Sequence, residues 1–68
     1  MRDLYKVLVH AKEQNKWVLV RHLVPYGLNT GIIGLMESRG HVFTKNTDKG
    51  TVIKLTLVGY KELKGKVS

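Results

Sequence analysis

GLNTGIIGLMESRGHVFTKNTDKG, Gly27 to Gly50, is the stretch on which the reading of this chain turns. Gly27 is a turn residue, Asn29 or Thr30 a natural N-cap, and Gly40 a good residue to follow a helix. A helix is therefore expected from Thr30 to just before Gly40, with Ile32, Ile33, Leu35 and Met36 as its buried stripe. Gly31 and Gly34 each lower helix propensity by ~1 kcal/mol, so packing must hold this helix. After Gly40, HVFTK and TVIKLTL read as strands joined by NTDKG, with Gly50 supplying the positive φ such a loop often needs. Ile53, Leu55 and Leu57 fall on one strand face and Val52, Lys54 and Thr56 on the other, the pattern of a half-buried antiparallel hairpin. A capped helix thus runs into a hairpin with a polar, basic tip, which sets a helix end beside a loop suited to phosphates.

Working outward, Leu4, Val7, Leu8 and Ala11 recur at helical spacing before the polar run Lys12 to Lys16. This predicts a helix over about Asp3 to Gln14, with Asp3 as N-cap and Asn15 ending it in a left-handed conformation. Tyr5, Val7 and Val9 also alternate, which keeps a strand open as the competing reading. Trp17 to Val24 (WVLVRHLV) fits a short extended piece at Trp17 and Val18 followed by about two helical turns. A single continuous strand is the alternative there, and Pro25 biases Val24 away from helix. The remainder, VGYKELKGKVS, is expected to end as a basic tail carrying Lys61, Lys64 and Lys66, so the domain is placed at residues 1–60 and the tail at 61–68.

Sixty-eight residues make one domain, and folding at this size buries only ~60% of the surface of the unfolded chain. There is no Cys, so tight packing or oligomerisation must replace disulfides and thiolate metal sites, and a homodimer is expected. Twelve Lys and Arg against five Asp and Glu give a net charge of +7. That charge selects polyanionic partners: nucleic acid, an anionic membrane surface or an acidic protein. The longest run without Lys, Arg, Asp or Glu, His22 to Met36, is broken by Pro25, Gly27, Gly31 and Gly34 and is too short to span a bilayer. The start, MRDLYKVL, lacks the apolar core of a signal peptide. An intracellular, cytoplasmic protein that does not engage membranes is expected.

Nothing in the chain has the spacing of a catalytic centre. His10, His22 and His41 stand in separate elements and match no metal pattern. The only serines are Ser38 and Ser68, the five carboxylates are scattered, and no glycine-rich phosphate loop leads from a strand into a helix with a Lys. The chain therefore reads as a binding protein with no cofactor and no enzymatic activity.

The element order, together with HLVPYGLNTGIIGLMESRGHVF (His22 to Phe43), resembles a winged helix-turn-helix DNA-binding domain over about residues 1–58. The resemblance implies an α+β fold of about three helices followed by a two-stranded antiparallel hairpin, the wing. It further implies a small regulator of transcription or replication, of the kind common in phages and mobile elements, that binds duplex DNA as a homodimer. The Thr30 to Arg39 helix would enter the major groove and the wing would clamp phosphates. One departure is evident: the helix is shorter than in many such domains, and its outer face holds Thr30, Gly31, Gly34 and Ser38 in place of Arg, Lys, Gln or Asn. Bidentate reading of base edges is therefore not expected.

Each candidate has a plainer explanation beside the functional one. Asn29 and Thr30 stand where a helix N-terminus meets phosphates and base edges, and where a simple cap would also stand. Gly31 and Gly34 share a helix face that either a sugar-phosphate strand or another helix can approach closely. Lys45, Asn46, Lys49 and Lys54 would form the phosphate-contacting wing, although lysines on a hairpin also suppress aggregation. Lys16, Arg21, Arg39 and His41 flank the motif as further phosphate contacts. Tyr5, Trp17, Tyr26, Phe43 and Tyr60 are too dispersed for a base-stacking platform and are expected to pack in or against the core, with Tyr26 the exception. Two other readings stay open: a protein-interaction module on the same scaffold, and a single-stranded nucleic acid or RNA binder using the hairpin and aromatics.

Overall fold

The computed structural model describes residues 2–67 and is an α+β arrangement of four helices and a three-stranded antiparallel sheet. Helix α1 (Arg2–Glu13) leads into strand β1 (Val18–Leu19), the single turn α2 (Val20–Leu23) and a 3-10 turn (Val24–Tyr26). Helix α3 (Thr30–Ser38), the hairpin β2 (Val42–Thr47) and β3 (Gly50–Leu55), and helix α4 (Leu57–Val67) follow. The sheet order is β1-β3-β2. Among the described residues no helix is long and apolar enough to cross a membrane.

Local capping signals dictate where these helices stop. At Asn15 (φ 55°) the Lys16 amide donates to the Ala11 carbonyl at 2.9 Å and the Asn15 amide to Lys12 at 2.9 Å. This is the left-handed closure expected there, and it satisfies carbonyls that would otherwise lack partners. The end of α3 repeats it at Gly40 (φ 71°): His41 N–H donates to Met36 and Gly40 N–H to Glu37. Helix α1 begins one residue earlier than expected, so Asp3 lies in the first turn rather than at the cap, where its charge still favours the helix dipole. In the hairpin, Asp48 and Lys49 both keep negative φ, and the positive φ falls on Gly50 (122°). The side chain of Thr47 ties the tip by donating to the Gly50 carbonyl at 2.7 Å.

The core lies between α1 and the inner sheet face. Leu4 and Leu8 of α1 meet Leu23, Leu28, Met36, Val42, Ile53, Leu55 and Leu63. Leu35 departs from the expected stripe and is 49% exposed. Ile32, Ile33 and Met36 already span a ~100° arc of α3, and Leu35 falls outside it. The expected alternation in β3 also ends early: the strand stops at Leu55, Leu57 is exposed, and Val52 is buried although it faces away from the core.

The largest departure is at the end of the chain, where residues 57–67 form a helix packed on α1 rather than a basic tail. Thr56, expected on a strand face, caps it: its hydroxyl accepts from the Gly59 amide at 3.0 Å and donates to the Gly40 carbonyl. Leu63 is buried in the common core and Val67 packs against it. Tyr60 OH donates to Glu13 Oε2 at 2.8 Å, and Lys64 Nζ approaches the same oxygen at 3.1 Å, tying α4 to α1. The Tyr60 hydrogen bond first, and Lys64 second, hold the Glu13 carboxyl below its ordinary value. The same partners raise the Lys64 ammonium. Both groups are exposed, so the pair orients α4 more than it stabilises it.

Candidate nucleic-acid interface

Two separate surfaces gather most of the candidate residues. The first is built on α3. Asn29 caps this helix, its Oδ1 accepting from the Ile32 amide at 2.9 Å. Thr30, Gly31, Gly34 and Ser38 are all exposed, and the Ser38 hydroxyl is turned back to the Leu35 carbonyl at 2.8 Å. A Cβ added at Gly34 would meet nothing within 4 Å, and one at Gly31 only Asn29 Oδ1 at 3.3 Å. Among the described residues no other helix therefore accounts for the two glycines.

Between α3 and the sheet runs an open groove lined by Val20, Thr30, Gly34, Glu37, Thr44 and Thr51. Thr44 Oγ1 donates to Glu37 Oε2 at 3.0 Å, and Thr51 Oγ1 to Asn46 Oδ1 at 2.8 Å. Glu37 is the one charged side chain lining this groove. The smooth face of α3 is thus uncharged, and its border toward the hairpin is acidic.

The second surface is the outer face of the sheet, away from the core. Strand register sets its pattern: Leu19 and Lys45 both lie opposite Val52, and Phe43 lies opposite Lys54. Successive residues of a strand point to opposite faces, so Leu19, Phe43, Lys45, Val52 and Lys54 share one side while Val18, Val42, Thr44, Ile53 and Leu55 share the other. Trp17, two residues before Leu19, joins the outer group. Lys45 Nζ stands 4.7 Å from the centre of its ring and Lys54 Nζ 5.7 Å. Val52 and Leu19 form an apolar floor beneath Trp17 and Lys45, which explains the burial of Val52 outside the main core. Phe43 is 56% exposed beside Lys54, whose ammonium also donates to Asn15 Oδ1. Among the described residues the one close ion pair is Lys64 with Glu13, so Lys45, Lys49 and Lys54 have no carboxylate partner. Exposed cation–π contacts of this kind contribute only about 0.5–1 kcal/mol and exchange readily.

The remaining candidates lie elsewhere. Lys49 is in the hairpin turn, with Asp48 beside it. Arg21 is exposed on α2. Lys16 borders an open groove between α1 and β1, together with Lys6, His10 and His22. Arg39 and His41 flank a narrow cleft formed with Tyr5, Leu35, Leu63 and Lys66. Of the four residues that the resemblance gives to the wing, Lys45 and Lys54 have side chains that leave the sheet on the face opposite α3.

The aromatic residues divide in a way their spacing did not suggest. Tyr5 and Tyr60 are half-buried against the core and Tyr26 is exposed, as expected. Trp17 and Phe43 instead share the outer sheet face, on either side of the central strand. Alternation of Trp17 with Leu19, Phe43 with Lys45 and Val52 with Lys54 was the available signal, but only the strand register aligns the three pairs. Compared with models of known protein families, with curated proteins and with solved structures, the chain matches none of them.

Proposed function

We propose that this chain is a duplex-DNA-binding regulator of winged-helix type that docks through α3 and the hairpin. One observation carries the reading: an Asn29-capped, solvent-facing α3 is followed by a hairpin whose β3 pairs with both β2 and β1. The order helix, short strand, helix, capped helix, hairpin is compatible with a winged-helix arrangement, from which the fourth helix and the third strand depart. Gly34, with nothing within 4 Å of an added Cβ, and Gly31, with only the capping Asn29 Oδ1 near, allow a sugar-phosphate strand to approach the α3 backbone closely.

Electrostatics shape what such docking does. With Glu37 on its hairpin-facing border and no basic residue on its outer face, α3 contributes fit rather than side-chain readout of bases. Affinity comes from flanking cations such as Lys49 and Arg21, and sequence discrimination is low. If about four phosphates are neutralised, log K falls with log salt at a slope of roughly −3.6. Titration of a labelled duplex at two salt concentrations tests this directly, and absence of duplex binding at low salt removes the reading. Lys49→Glu is expected to weaken duplex binding while leaving the fold intact, since Lys49 is an exposed turn residue.

A second reading is favoured by the same acidic border. An uncharged α3 face with open glycines and the half-exposed Leu35 also suits a protein partner. Retention of a partner by a protein that binds no duplex would move this reading ahead.

A further inference from the structure

We propose that the outer face of the sheet is a second nucleic-acid site, a stacking platform for single-stranded nucleic acid that is independent of α3. Two exposed aromatic rings, Trp17 and Phe43, flank the central strand, and Lys54 lies between them with Lys45 alongside. The rings are separated by two strand spacings, ~10 Å, so they take bases that are not nearest neighbours along a strand. The lysines between them then meet the intervening phosphates.

The present contacts of the lysines do not block this use. Both ammonium groups rest near the Trp17 ring and have no carboxylate partner among the described residues. A base stacked on an indole gains more than an exposed cation–π contact, so an incoming base displaces the ammonium, which moves to a phosphate. The buried Val52 and half-buried Leu19 hold Trp17 in place from below, which keeps the ring preorganised.

Charge and shape select the occupant. A duplex hides its base faces and offers the rings nothing to stack on, whereas an unpaired strand presents bases and phosphates together. Between Asn15 at one end, already engaged by Lys54, and Asp48 at the hairpin tip, the charged groups of the face are the ammoniums of Lys45 and Lys54, set among the apolar Trp17, Leu19, Phe43 and Val52.

Trp17 is the only tryptophan of the chain, so its fluorescence reports on the platform itself. The experiment titrates the full chain with oligothymidylate at low salt, reading Trp17 fluorescence and the anisotropy of labelled oligonucleotide. Saturable quenching is expected, together with at least a fivefold loss of affinity in Phe43→Ala and in Lys45→Gln. Phe43 is more than half exposed, so its truncation leaves the fold intact, as circular dichroism checks. Labelled duplex, titrated in parallel, is expected to bind Phe43→Ala as it binds the unmodified chain. Failure of duplex binding alone would remove the α3 reading and leave the platform standing. Absence of quenching by oligothymidylate, or unchanged affinity in Phe43→Ala, overturns the platform. Equal losses for duplex and single strand overturn the single-strand assignment. A dimer that exists without DNA and dissociates in Phe43→Ala would make a second copy the occupant and end the proposal.

Discussion

Gly59 lies directly against the backbone of His41: a Cβ at position 59 would stand 2.0 Å from the His41 carbonyl oxygen. That oxygen accepts from the Thr56 amide at 2.9 Å, so the start of α4 is seated on the entry to β2 with no room for a side chain. Replacing Gly59 with Ala forces backbone apart and is expected to destabilise the protein by ~3 kcal/mol, read from the urea midpoint. Gly65, in the same helix, has nothing within 4 Å of an added Cβ. Gly65→Ala should instead gain up to ~1 kcal/mol. Equal effects of the two substitutions would refute the seating of α4.

The Glu13, Tyr60 and Lys64 cluster makes the docking of α4 depend on pH at both extremes. Glu13 is held below its ordinary value of 4.5, with the Tyr60 hydrogen bond as the larger cause. A depressed carboxyl stabilises the fold above its unfolded value, and that contribution is lost as pH falls through the lower folded value. Lys64 is raised above its ordinary 10.5, so its contribution is complete below 10.5 and lost as pH rises through the higher folded value. Tyr60→Phe removes the first cause. An NMR titration should then find Glu13 closer to 4.5, and an unchanged Glu13 would show that the hydroxyl is not its main partner.

Asn29 is the only residue whose side chain caps α3, through the Ile32 amide. Asn29→Ala is expected to cost ~1 kcal/mol, and Asn29→Asp, which keeps the acceptor, much less. Thermal melts of the pair check this, and identical melting of both variants would remove the cap from the account.

Gly34 separates folding from binding. With open space around an added Cβ, Gly34→Ala should stabilise α3 by up to ~1 kcal/mol. If duplex DNA approaches the α3 backbone there, the same methyl weakens duplex binding even as the protein becomes more stable. A variant that is both more stable and fully competent for duplex would show that α3 is not closely approached.

Legibility followed the range of the forces involved. The ends of α1 and α3, at Asn15 and Gly40, were readable because their closing hydrogen bonds lie within one turn of the chain. The hairpin was readable for the same reason, its turn and register being set by neighbours in sequence. Helix α4 was not: its lysines masked the spacing of Gly59, Leu63 and Val67, whose packing depends on α1, β3 and the His41 backbone being already in place. The candidate site was legible as a set of residues but not as a surface. Lys45 and Lys54 were identified, yet the face they share with Trp17 and Phe43 is set by β1 pairing with β3.

By itself, then, the sequence determined the helix ends, the hairpin, the positive charge and the bare, uncharged face of α3, all properties of residues acting alone or with close neighbours. Tertiary structure alone decided that Lys45 and Lys54 turn away from α3 and that two distant aromatics join them. The physical reason is that a strand sends alternate side chains to opposite faces, and long-range pairing, which costs loop entropy and is paid back only by burial of Val52 and Ile53, selects which face meets which.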